Sequence, residues 1–106
     1  MEPENERQSP LPGMAGGTAA SRACTIRNKL GLHARAAALF VQTAGKFPCE
    51  IYLEKDGMEV NGKSIMGILT LAASRGTEVR VRAEGAAAPA AVDRLSELIE
   101  NKFGEE

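Results

Sequence analysis

The sequence predicts an α+β fold, an open-faced sandwich in the order βαββαβα with three helices on one face of a four-stranded sheet. Three observations carry that expectation. Apolar and polar residues alternate in short stretches around Cys24, Ile51, Val60 and Val81, as they do in strands with one buried face. Between these stretches, apolar residues recur at helical spacing after His33, after Ser64 and after Pro89. Each helix then has a single apolar stripe to bury, and a sheet is available to bury it against.

The first strand centres on Cys24 and Ile26, which alternate with Thr25 and Arg27. A turn at Gly31 leads into the first helix, where Ala37, Phe40, Val41 and Ala44 form the buried stripe and Gly45 is the stop. Cys49, Ile51 and Leu53 alternate again as the second strand. Asp56-Gly57 is the signature of a tight hairpin and opens a brief third strand near Glu59 and Val60. Ser64 caps a short second helix through about Leu71, weakened by Gly67 in its interior. After a turn over Ala73-Ser74-Arg75-Gly76, the fourth strand points Val79, Val81 and Ala83 inward and stops at Glu84 and Gly85. Pro89 suits the first turn of the last helix, which buries Val92, Leu95, Leu98, Ile99 and Phe103.

A chain of 106 residues supports one two-layer core. Residues 1–21 mix Pro, Gly, Ala, Ser and charge without periodicity, so a disordered tail is expected ahead of one domain over 22–106. Met14 is a candidate translation start within that tail. Hydrophobic residues at 43% and charged residues at 25% are ordinary for a globular protein. A net charge of −1 with scattered Lys and Arg argues against nucleic acid as a partner, and so does an aromatic set of three Phe, one Tyr and no Trp. No apolar run is long enough for membrane insertion, and the acidic start lacks a secretory pattern. With two cysteines in separate strands, the reducing cytoplasm is the expected compartment.

One histidine, and cysteines without ligand spacing, give no metal site, and no cofactor is expected. The absence of a Gly-x-Ser-x-Gly elbow and of a second histidine argues against acyl transfer.

What remains is the histidine itself. In Gly31-Leu32-His33-Ala34-Arg35-Ala36 it stands where the first helix begins. Helix-start N–H groups lack internal partners, and the aligned peptide dipoles favour an anion there. A phosphoryl group on His33 would meet the backbone N–H groups of Ala34 and Arg35, with the Arg35 guanidinium available to its oxygens. The same field disfavours added positive charge on the ring, which leaves a ring nitrogen nucleophilic.

Downstream of this helix, across the hairpin, lies Asn61-Gly62-Lys63-Ser64-Ile65-Met66-Gly67. Together the two segments resemble the HPr family, the small histidine phosphocarriers of the bacterial phosphoenolpyruvate-dependent phosphotransferase system. The resemblance runs from about Cys24 to Phe103. It implies an antiparallel sheet ordered first, fourth, second, third strand. It also implies a phosphocarrier rather than a turnover enzyme, with transfer from phosphorylated enzyme I to Nδ1 of His33, assisted by Arg35, and onward to enzyme IIA domains. Ser64 matches the serine that HPr kinase/phosphorylase modifies, although a serine before a helix is also an ordinary cap. Ile65, Met66 and Leu69 match an exposed docking patch, with Lys46 and Lys63 as positive rim charges for acidic partners. A monomer making transient complexes is expected.

One position departs from the family pattern. Proline usually follows the arginine, and here Ala36 does. That departure keeps a second reading open: a purely regulatory HPr-like protein controlled through Ser64, with little phosphotransfer at His33. A third, an unrelated small interaction module, would require both motifs to be accidental.

Overall fold

The computed structural model describes residues 19–105. Its elements are β1 (Ala19–Thr25), α1 (Ala34–Ala44), β2 (Glu50–Lys55), β3 (Met58–Asn61), α2 (Ile65–Thr70), β4 (Glu78–Glu84) and α3 (Ala88–Glu100), followed by a 3-10 turn at Lys102–Gly104. The four strands form one antiparallel sheet in the order β1-β4-β2-β3, as expected from the resemblance. β4 and β2 are therefore central, and their inward residues Val79, Val81, Ala83, Ile51 and Leu53 are buried.

The helices cover that inward face. Phe40 of α1, Ile68 of α2 and Leu95 and Ile99 of α3 are all fully enclosed in one core. Alternation along the strands is clean because the opposite face meets solvent: Glu78, Arg80 and Glu84 are exposed between the buried valines and alanine of β4. Asp56 and Gly57 both have positive φ, 52° and 84°, the conformation a two-residue hairpin requires to match strand twist.

Several expectations need adjustment. β1 begins at Ala19, with Ala19, Ala20 and Ser21 opposite Glu84, Ala83 and Arg82, so these three residues belong to the sheet and not to a tail. The rest of the anticipated tail, 1–18, lies outside the described residues. Val41 and Leu98 pack only partly against the core, whereas Thr43 and Ser96 are buried. Phe103 is buried as expected but not as part of α3. The helix ends at Glu100, and Lys102, Phe103 and Gly104 all adopt positive φ, reversing the chain. Cys24 in β1 and Cys49, one residue ahead of β2, are free and buried, with β4 between their strands.

Candidate functional site

The loop from β1 to α1 is built around Asn28, Gly31 and Leu32. The Leu32 N–H donates to the Ala73 carbonyl at 2.9 Å while its side chain is buried, which anchors the residue just before His33. Gly31, at φ +67°, supplies the reversal that makes this approach possible.

His33 is the N-cap of α1. Its backbone is extended (φ −76°, ψ 179°), its carbonyl accepts the first helical bond from the Ala37 N–H at 2.9 Å, and its Nδ1 accepts the Arg35 N–H at 3.3 Å. An imidazole nitrogen that accepts a hydrogen bond carries no proton, so the ring is the Nε2–H tautomer with its lone pair on Nδ1. The other nitrogen faces a carboxylate: Nε2 lies 2.8 Å from Oε2 of Glu105. The second carboxylate oxygen accepts from Asn28 Nδ2 at 3.1 Å, and the same Asn28 nitrogen donates to the Gly31 carbonyl at 2.8 Å.

The electrostatics follow from these contacts. Partial burial pushes the Glu105 carboxyl upward, but hydrogen bonds from His33 and Asn28, with the charges of His33 and Arg35, outweigh it and hold the carboxyl below its usual range. The His33 side chain keeps 27% of its surface exposed at the edge of a shallow depression shared with Lys29, Leu30, Arg35 and Glu105. The site is thus an open cup, able to meet a macromolecular partner, with an unprotonated ring nitrogen that already takes one helix-start amide, the Arg35 N–H, as its donor.

The sequence-nominated residues separate into two groups. His33, Ala34 and Arg35 come together at the start of α1, joined by Asn28 and Glu105, which the motif reading missed. Glu105 lies 72 positions from His33, and only the Gly104 reversal beside it hints at a chain turning back. Ser64, Ile65, Met66 and Leu69 belong to α2, which packs against α1. Ser64 caps that helix, its Oγ accepting the Gly67 N–H at 3.1 Å. Ile65 and Met66 are exposed at 42% and 71%, Leu69 is half-buried, and Ile68 and Leu71 are core. Leu30, 68% exposed beside His33, adds an apolar surface that periodicity did not reveal. Lys46 is exposed, and Lys63 donates from Nζ to the Phe47 carbonyl at 2.7 Å.

A family model described as the PTS HPr component phosphorylation site matches residues 20–101. The chain belongs to the HPr family. The phosphocarrier protein HPr of Xylella fastidiosa (strain Temecula1) is 55% identical over 82 residues, covering 77% of this chain and 92% of its own length. The HPr-like protein Crh of Bacillus subtilis is 48% identical over 77 residues, 73% of this chain and 91% of its own. Among solved structures, the crystal structure of HPr-C-His from Thermoanaerobacter tengcongensis shares 54% identity at a TM-score of 0.79, covering 82% of this chain and 98% of that one. Membership of this family supports a phosphocarrier role in the phosphotransferase system.

Proposed function

We propose that Nδ1 of His33 accepts a phosphoryl group from phosphorylated enzyme I and passes it to enzyme IIA domains. The observation that carries this reading is the hydrogen bond from the Arg35 N–H to Nδ1, which identifies that nitrogen as the unprotonated one at a helix start. In the first step the Nδ1 lone pair forms the new N–P bond as the donor's bond to phosphorus breaks, and Nε2 keeps its proton. The Ala34 and Arg35 N–H groups and the Arg35 guanidinium then face the phosphoryl oxygens. The second step is the reverse displacement onto the next carrier. Little covalent chemistry is asked of the protein, so an open site with fixed donors is sufficient.

Partner binding is assigned to Ile65, Met66 and Leu69, where a flexible methionine suits several surfaces, with Lys46 and Lys63 on the rim. Ser64 is the regulatory position. A phosphate there adds about two negative charges at a helix start, which the helix tolerates, so HPr kinase/phosphorylase would act through partner docking and not by unfolding. The protein works as a cytoplasmic monomer in transient complexes.

Ala36 in place of the usual proline keeps one other reading, a regulatory protein controlled through Ser64 that makes little use of His33. Incubation with phosphoenolpyruvate and enzyme I separates the two. The carrier reading requires acid-labile, alkali-stable phosphate on His33. Absence of that phosphate, with Ser64 still open to a kinase, selects the regulatory one.

A further inference from the structure

We propose that Glu105, held in place by Asn28, is a positioning residue for transfer at His33, pinning Nε2–H so that Nδ1 is the only nucleophilic ring nitrogen. This rests on the reading of His33 as the phosphoryl acceptor.

The chain is arranged to deliver this carboxylate. Phe103 is buried, the reversal through Gly104 at φ +77° returns the backbone toward the β1–α1 loop, and the Glu105 N–H closes the turn on the Lys102 carbonyl at 2.8 Å. Glu105 then spans two partners, Asn28 Nδ2 at 3.1 Å and His33 Nε2 at 2.8 Å. Asn28 is fully buried, and its Oδ1 has no hydrogen-bond partner. An orphaned buried acceptor is costly, so this side chain is held for its donors, one to the Gly31 carbonyl and one to Glu105.

The consequence for transfer is directional. As the N–P bond forms at Nδ1, the ring becomes positive because Nε2 keeps its proton. A carboxylate at hydrogen-bond distance on the far side of the ring offsets that charge while staying away from the incoming phosphoryl oxygens. The same contact shields Nε2 from phosphorylation. It also restrains the imidazole from the side opposite the cap, where Ala36 leaves the first turn without a proline.

The test uses the full chain and phosphoramidate, a small donor that needs no docking surface, with ring nitrogens resolved by 15N and 31P NMR. Wild type is expected to carry phosphate on Nδ1 alone. Glu105→Ala is expected to show phosphate on both nitrogens, with acceptance at Nδ1 slowed about tenfold, the loss expected for one charge-assisted hydrogen bond. Glu105→Gln retains an acceptor for Nε2–H without the charge, so it should keep the Nδ1 preference while its phosphorylated form hydrolyses faster than wild type. Wild-type site preference, acceptance rate and lifetime in both variants would overturn the proposal while leaving His33 as acceptor. Undiminished phosphohistidine in His33→Ala would instead overturn the reading on which it rests.

Discussion

Gly31 lies so close to Ala73 that a Cβ on the glycine would stand 2.6 Å from the Ala73 carbonyl oxygen and 2.9 Å from Cα of Ser74. Both obstacles are backbone, so neither can swing away, and the φ of +67° adds left-handed strain for any side chain. Gly31→Ala should therefore lower stability by about 2–4 kcal/mol and loosen the loop that presents His33. Urea denaturation and phosphorylation kinetics on the same sample should both show a loss. A variant as stable as wild type would mean that the loop is not held against Ala73.

His33→Ala should abolish phosphorylation by enzyme I with the fold intact. The side chain it removes is partly exposed and caps α1 through a long bond of 3.3 Å. The change in stability should stay within about 1 kcal/mol, the usual range for losing a cap. Phosphate incorporation and circular dichroism measured together check both halves of the expectation.

The part of the site that rests on local chemistry was legible in the sequence. A histidine after Gly-Leu and before an alanine-rich apolar stripe is a helix start whatever surrounds it, and Ser64 is a cap for the same reason. Glu105 was not legible, because its position depends on Phe103 leaving the helix at φ 54°, a conformation set by burial of the ring and not by propensity. Ala19, Ala20 and Ser21 read as tail because small residues carry little strand preference. Their place in β1 comes from pairing with β4, a tertiary effect that overrides propensity. Alternation revealed which strand faces are buried, but the order β1-β4-β2-β3 depends on long-range pairing and was expected only through the family resemblance.

Ser64→Asp should slow transfer to His33 with little change in stability. Aspartate can accept the Gly67 N–H as Ser64 Oγ does at 3.1 Å, and its charge suits a helix start. Ser64→Ala is the matching control. It should cost about 1 kcal/mol as a lost cap yet leave transfer near the wild-type rate. Equal transfer rates for the aspartate variant and wild type at every ionic strength would reduce Ser64 to a cap.

Glu105 should make stability depend on pH in the acid range. Its carboxyl is held below the ordinary 4.5 in the folded chain: burial raises it, but the His33 and Asn28 hydrogen bonds win. The unfolded state therefore binds the proton more readily, and the contribution of this group to stability is fully present above about 4.5 and lost as pH falls through the lowered folded value. Denaturation of wild type and Glu105→Gln across this window should show a wild-type advantage that shrinks toward acid. An advantage independent of pH below 4.5 would assign the effect to packing instead of charge.

Ala36→Pro tests the one departure from the family pattern. The first helical bond of α1 comes from the Ala37 N–H, so a proline at Ala36 removes no helical hydrogen bond, and its fixed φ would stiffen the turn that presents His33. Two effects oppose that gain. Proline deletes one helix-start N–H that could face a phosphoryl oxygen, and Ala36 is wholly buried, so the added ring atoms must find room. With Glu105 already restraining the imidazole from the other side, extra stiffness has little left to correct. Transfer from enzyme I should therefore rise severalfold at most, and wild type should already transfer measurably. Transfer that is undetectable in wild type and restored by Ala36→Pro would assign this chain the regulatory role instead of the carrier's.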